Sequence, residues 1–130
     1  SYRQVGVQSG VDGASPHTMI KMLVDGLVQS LKAARGALQR GDIVEKGRRI
    51  GKSVRILEEG LKGGLNPAQG GEIASNLAAL YDYCVSRLTL ANMRNDLALV
   101  EEVVSLIAPV AQSWSEIGPN NGAAAQGAGA

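Results

Sequence analysis

Four stretches of this chain carry apolar residues at steps of three and four, and each is closed by glycine, proline or asparagine. Such steps match the turn of an α-helix, of about 3.6 residues, and gather the apolar side chains into one stripe. A stripe must be buried against another stripe, so the pattern restricts the chain to helices packed on helices.

The first stretch runs through Met19, Leu23, Leu27, Leu31, Ala34 and Leu38. Ser15 before Pro16 supplies its start: the hydroxyl caps free N–H groups, and proline takes the first helical position, where no N–H is needed. Gly41 ends it, which predicts a helix over 16–40. After Asp42 the pattern resumes with Ile43, Gly47, Ile50, Val54, Leu57 and Leu61, predicting a helix over 42–63 that Gly63-Gly64 and Asn66-Pro67 break. A third helix over 71–94 begins near Gly70-Gly71-Glu72 and buries Ile73, Leu77, Leu80 or Tyr81, Cys84, Leu88 and Ala91. Asn95 is placed to cap a fourth over 96–117, with Leu97, Val100, Val104, Ile107, Ala111 and Trp114, before Gly118-Pro119.

Short connections force neighbouring helices to run in opposite directions, so residues 15–117 are expected to form an all-α, antiparallel up-down four-helix bundle. Residues 1–14, with glycines and a weak alternation at Val5, Val7 and Val11, read as an N-terminal arm. Residues 118–130 hold mostly Gly, Ala, Asn and Gln without periodicity and read as a disordered tail.

The length of 130 residues suits one domain. Its apolar content is aliphatic, with 3% aromatics and no Phe, which agrees with helix-on-helix packing. A net charge of +1, from 13 basic and 12 acidic residues, provides no field to draw in nucleic acid or an anionic membrane. The single cysteine, Cys84, makes no internal disulfide, in keeping with a reducing compartment. No apolar run approaches the ~18 residues of a membrane span. The stretch Ser1-Tyr2-Arg3 lacks the apolar core of a signal peptide, so the expected location is the cytoplasm, without membrane insertion.

The fourth helix carries a second stripe at Leu99, Val103, Leu106 and Val110, and the third has a shallower trough at Ala78, Tyr81, Val85, Leu88 and Asn92. Two readings are open. Both surfaces are covered, by the arm or as part of a wide core, or they form a binding groove; both hold if the arm is a displaceable lid. Gly47, Gly51 and Gly60 each weaken the second helix by about 1 kcal/mol relative to Ala, which points to close helix packing or to room for a partner.

No constellation for chemistry emerges. The segment from Gly47 to Ser53 has three residues between its glycines where a phosphate-binding loop needs four, and it falls mid-helix, where the backbone N–H groups are already used. His17 has Ile20 and Lys21 at the positions where a zinc ligand would stand. Cys84 lies on an apolar stripe without an activating neighbour, and Asp25, Asp82, Glu101 and Glu102 have no convergent apolar setting. Arg48, Lys52 and Arg55 form a basic strip without the aromatic residues that stack on RNA, so a solvated face is the expectation. Trp114 reads as a plug at the end of the bundle. The chain is therefore expected to be a binding protein, neither an enzyme nor a cofactor carrier.

Several segments together resemble the flagellin export chaperone family, FliS. They are Ala14-Ser15-Pro16-His17, Met22-Leu23-Val24-Asp25-Gly26, Gly41-Asp42 and Lys46-Gly47. The most specific run is Gly70-Gly71-Glu72-Ile73-Ala74, then Asn76-Leu77, Leu80-Tyr81-Asp82-Tyr83, Arg87-Leu88, Ala91-Asn92 and Arg94-Asn95-Asp96. The likeness covers about residues 2 to 117; Val24 stands where the family usually has Tyr or Phe, and Cys84 where Met is common. The resemblance implies a cytosolic bundle that binds the C-terminal segment of flagellin, blocks premature polymerisation and delivers it to the flagellar type III export gate. It also implies that the arm, with Tyr2, Val5 and Val7, occupies part of the binding surface when flagellin is absent. A monomer or weak homodimer is expected; the alternative is a dimerising helical adaptor without chaperone activity.

Overall fold

The computed structural model describes residues 15–116. The Ser15 hydroxyl accepts the Thr18 N–H at 3.1 Å and opens α1, Pro16–Arg40, with proline in its first turn. Gly41 closes it in the left-handed region, φ 76°, its N–H directed at the Ala37 and Leu38 carbonyls. Asp42 then caps α2, Ile43–Arg55, by accepting the Glu45 N–H at 3.1 Å.

From α2 the chain runs without interruption into a π-helical segment, Ile56–Lys62, whose wider turn ends with the Gly63 N–H on the Glu58 carbonyl at 3.0 Å. The predicted helix over 42–63 is thus two kinds of helix in series. Asn66 and Pro67, expected to break a helix, begin one: the Asn66 side chain accepts the Ala68 and Gln69 N–H groups, and Pro67 opens α3, Pro67–Arg94. Gly71, at φ 54° and ψ −126°, kinks α3 near its start, a conformation that favours glycine. Asn95 is left-handed, φ 53°, and closes α3 instead of capping the last helix. That cap comes from Asp96, whose carboxylate accepts the Ala98 N–H at 3.0 Å at the start of α4, Leu97–Glu116.

Helix α1 packs against α2 and α4, and α3 packs against α2, the π segment and α4. Each helix lies beside its chain neighbours and α1 closes on α4, which makes an all-α, antiparallel up-down four-helix bundle. The core is aliphatic: Val24, Leu27 and Leu31 of α1, Ile50 of α2, Leu57 and Leu61 of the π segment, Leu88 of α3, and Val100, Val103 and Ile107 of α4. Each such side chain contributes roughly 1.5–3 kcal/mol when fully buried. Tyr81 and Cys84 join this core, and Trp114 closes one end against His17, with ring centroids 5.1 Å apart.

On α2 the buried positions are Lys46, Ile50 and Ser53, whereas Ile43 is 50% exposed, so the core face is turned away from the expected stripe at its start. On α4 the two expected stripes merge: Leu99, Val100, Val103 and Ile107 are all buried in one wide face. This helix, 20 residues with a mean hydropathy of 1.3, meets the length and composition of a membrane span, which corrects the expectation that no run does. Within the bundle that apolarity supplies the core.

Candidate partner-binding surface

An open apolar groove lies between α1 and the junction of α2 with the π segment. It encloses about 390 Å³ and is lined by Met19, Met22, Leu23, Gly26 and Ile56, with Lys52 among its walls. Missing side chains shape it. A Cβ on Gly26 would stand 3.7 Å from the Ile56 Cδ1, and one on Gly60 would press on the Leu23 Cδ2 at 3.1 Å. Gly60 therefore lets the π segment approach α1, which answers the question its low helix propensity raises; Gly51 meets only Arg55. A smaller channel of about 200 Å³ runs between α1 and α4 past Val28, Lys32, Val104, Ala108 and Ala111.

The residues expected to bind a partner divide. Tyr81 and Leu88 of α3 and Leu99 and Val103 of α4 lie in the core, and the exposed surface expected of them is not there. Val85, Leu106 and Val110 are half-buried, packed against the core with an edge toward solvent, and Asn92 is exposed. Tyr2, Val5 and Val7 fall outside the described residues.

Polar contacts tie the other helices to one another. Glu102 of α4 accepts from Arg87 Nε of α3 at 2.8 Å and from the Tyr83 hydroxyl, and Arg87 also lies over the Tyr83 ring, 5.6 Å from its centroid. These two donors, Tyr83 first, hold the Glu102 carboxyl below its ordinary value. Lys62 of the π segment pairs with Asp82 of α3 at 2.8 Å. Glu45 pairs with Arg48 and with Arg49, so of the basic strip Arg48 is engaged within its own helix. Lys46 is buried and donates to the Asn92 carbonyl at 3.0 Å and to its side-chain Oδ1 at 2.7 Å. Sequence reasoning missed Lys46 as a core residue, although its place four residues before Ile50 put it in the seam.

Burial, with the nearby Glu102 charge, pushes the Cys84 thiol up to about 11, so it stays protonated at neutral pH. Burial likewise raises Tyr81. Among the described residues, no three of His, Cys, Asp or Glu gather as a metal site requires. What the arrangement can do is bury a partner's apolar side chains between rigid helices.

The family described as "Flagellar protein FliS" matches residues 1–121 of the chain. The flagellar secretion chaperone FliS of Salmonella typhimurium is 48% identical over 119 residues, spanning 92% of this chain and 88% of that protein. Flagellar secretion chaperone FliSB of Pseudomonas aeruginosa is 42% identical over 116 residues, 89% of this chain and 91% of the relative. FliS of Escherichia coli is 40% identical over 116 residues, 89% and 85% of the two chains. A family match over nearly the whole chain, carried by a four-helix bundle with an open apolar groove, places the protein: it belongs to the FliS family.

Proposed function

We propose that this protein is a flagellar secretion chaperone that holds an export substrate in the cytoplasm, namely the C-terminal segment of flagellin. In this reading it blocks premature polymerisation and hands the subunit to the flagellar type III export gate, acting as a monomer or weak homodimer without catalysis. Family membership supports the class of activity, since the relatives above are flagellar secretion chaperones. The observation that carries the mode of binding is the groove lined by Met19, Met22, Leu23 and Ile56, an apolar surface between helices that a soluble domain gains nothing by leaving open.

The physical logic is helix-in-groove recognition. A flexible segment loses entropy on ordering and offsets the loss by burying apolar area along a long surface. Half-buried Val85, Leu106 and Val110, with exposed Asn92, extend the surface beyond the groove, and Tyr2, Val5 and Val7 act as a lid that the substrate displaces. Titration of a flagellin C-terminal peptide, followed by calorimetry and far-UV circular dichroism, tests this. Binding with a gain of helix beyond the sum of the parts is expected, and Met22→Glu should weaken it by about tenfold or more, the equivalent of ~1.4 kcal/mol. No binding at high peptide concentration overturns the reading.

A further inference from the structure

Lys46 is 4% exposed, yet no carboxylate lies within ion-pair distance of it among the described residues. A buried ammonium without a counter-ion is costly unless its hydrogen bonds are well made, and here both go to one residue, Asn92. The bond to the Asn92 carbonyl follows from how α3 ends. The Asn95 and Asp96 N–H groups are both directed at the Ala91 carbonyl, so the Asn92 carbonyl lacks its regular main-chain donor and takes the lysine. A cation is also favoured at that negative end of a helix.

The bond to the side chain has a different consequence. An ammonium only donates, so its contact at 2.7 Å fixes the oxygen of the Asn92 amide toward Lys46 and turns the NH2 group away. That NH2 belongs to an exposed residue and meets no acceptor among the described residues. Gly47 lies alongside: a Cβ there would reach the Asn92 Oδ1 at 4.0 Å and nothing nearer, so the space beside the amide is open. Val44, one turn before Gly47, is 82% exposed and Met93, next after Asn92, is 73% exposed, so both helices carry an exposed apolar side chain within a turn of this pair.

We infer that Lys46 is a positioning residue that holds the Asn92 amide outward as a hydrogen-bond donor for a main-chain carbonyl of the bound export substrate. The inference rests on the chaperone reading above. An incompletely folded segment carries carbonyls without partners, and a fixed donor satisfies one at little entropic cost, because the side chain is already oriented. Reading the main chain also asks nothing of the segment's side chains at that point.

Asn92→Asp tests it with almost no change of shape. The substitution removes the donor, presents an oxygen to the incoming carbonyl, and gives Lys46 the counter-ion it lacks. The expected result is an unfolding midpoint equal to or above the wild type together with a loss of about tenfold in affinity for the flagellin C-terminal peptide, as for one hydrogen bond lost to an unpaired acceptor. Lys46→Met, which keeps the stem but frees the amide to rotate, should lose affinity by a smaller factor, roughly threefold. In labelled wild-type protein the Asn92 side-chain NH2 resonances should shift when the peptide is added. Wild-type binding with an unchanged Asn92→Asp affinity overturns the inference alone, as does a parallel fall in stability and affinity, which marks a merely structural contact. Absence of binding by the wild type overturns the chaperone reading and this inference with it.

Discussion

Helices α2 and α4 treat their apolar residues in opposite ways. Helix α4 is apolar enough to match a membrane span in length and composition, yet Leu99, Val100, Val103 and Ile107 all turn inward. Helix α2 holds Gly47, Gly51 and a run of basic residues, sends Lys46 and Ser53 into the seam, and with the π segment after it leaves a groove open against α1. The difference teaches that apolarity sets how much a helix buries, while open surface arises where side chains are missing. At the groove the missing side chain is that of Gly26 on α1, and Met19, Met22 and Leu23 beside it stay partly uncovered.

The sharpest way to break this comparison is a charge on each side of the boundary within α4. Val103 is fully buried, so Val103→Glu should cost more than about 4 kcal/mol and abolish cooperative thermal unfolding by circular dichroism. Leu106→Glu, at a half-buried position, should stay folded and lose peptide affinity instead. A folded, stable Val103→Glu protein would place the binding stripe on α4 after all. Next comes truncation: Ile107→Ala should cost about 2–4 kcal/mol in chemical denaturation, and Met22→Ala, at a residue 42% exposed, no more than about 0.5 kcal/mol while weakening the peptide complex.

Gly60→Ala is a smaller test and a more pointed one. Alanine improves helix propensity by ~1 kcal/mol, but its Cβ would stand 3.1 Å from Leu23, so the net effect should be destabilising by about 1 kcal/mol. A gain in stability would show that the π segment does not need its close approach to α1. The smallest effect concerns acid. Glu102 has its folded pKa lowered, so its contribution is present above the ordinary value of 4.5 and is lost as pH falls below that through the lowered one. Glu102→Gln should therefore flatten the acid limb of stability against pH, and an unchanged limb would remove the Tyr83, Arg87 and Glu102 cluster from the account.

Much of the fold was legible because local rules acted alone. Ser15-Pro16 and Gly41 bound α1 as read, since capping and left-handed backbone depend on neighbours in sequence. Asn66-Pro67 reads as a helix stop and Asn95 as a cap of the next helix because the same residue types serve a helix end or the next helix start, and only the direction of the chain decides. The binding surface was less legible. Period counting assumes a uniform turn, and the π segment adds a residue to each turn after Ile56. It also treats a lysine as a surface residue, whereas the free carbonyl of Asn92 gave Lys46 a partner inside. Leu99 and Val103 read as surplus if a four-helix bundle uses one narrow stripe per helix, whereas α4 buries a broader arc.

The ring contact between His17 and Trp114 joins the first helix to the last, and that has a consequence in time. A chain made from its N-terminus at roughly 5–20 residues per second completes α1, α2 and α3 before α4 exists. During that interval the α4-facing side of α1, with Val28 and Leu31, has no cover, and the unfinished protein displays more apolar surface than the finished one. For those few seconds the nascent chain is in the same position as the substrate proposed for it: a helix-forming polypeptide waiting for the surface that will shield it.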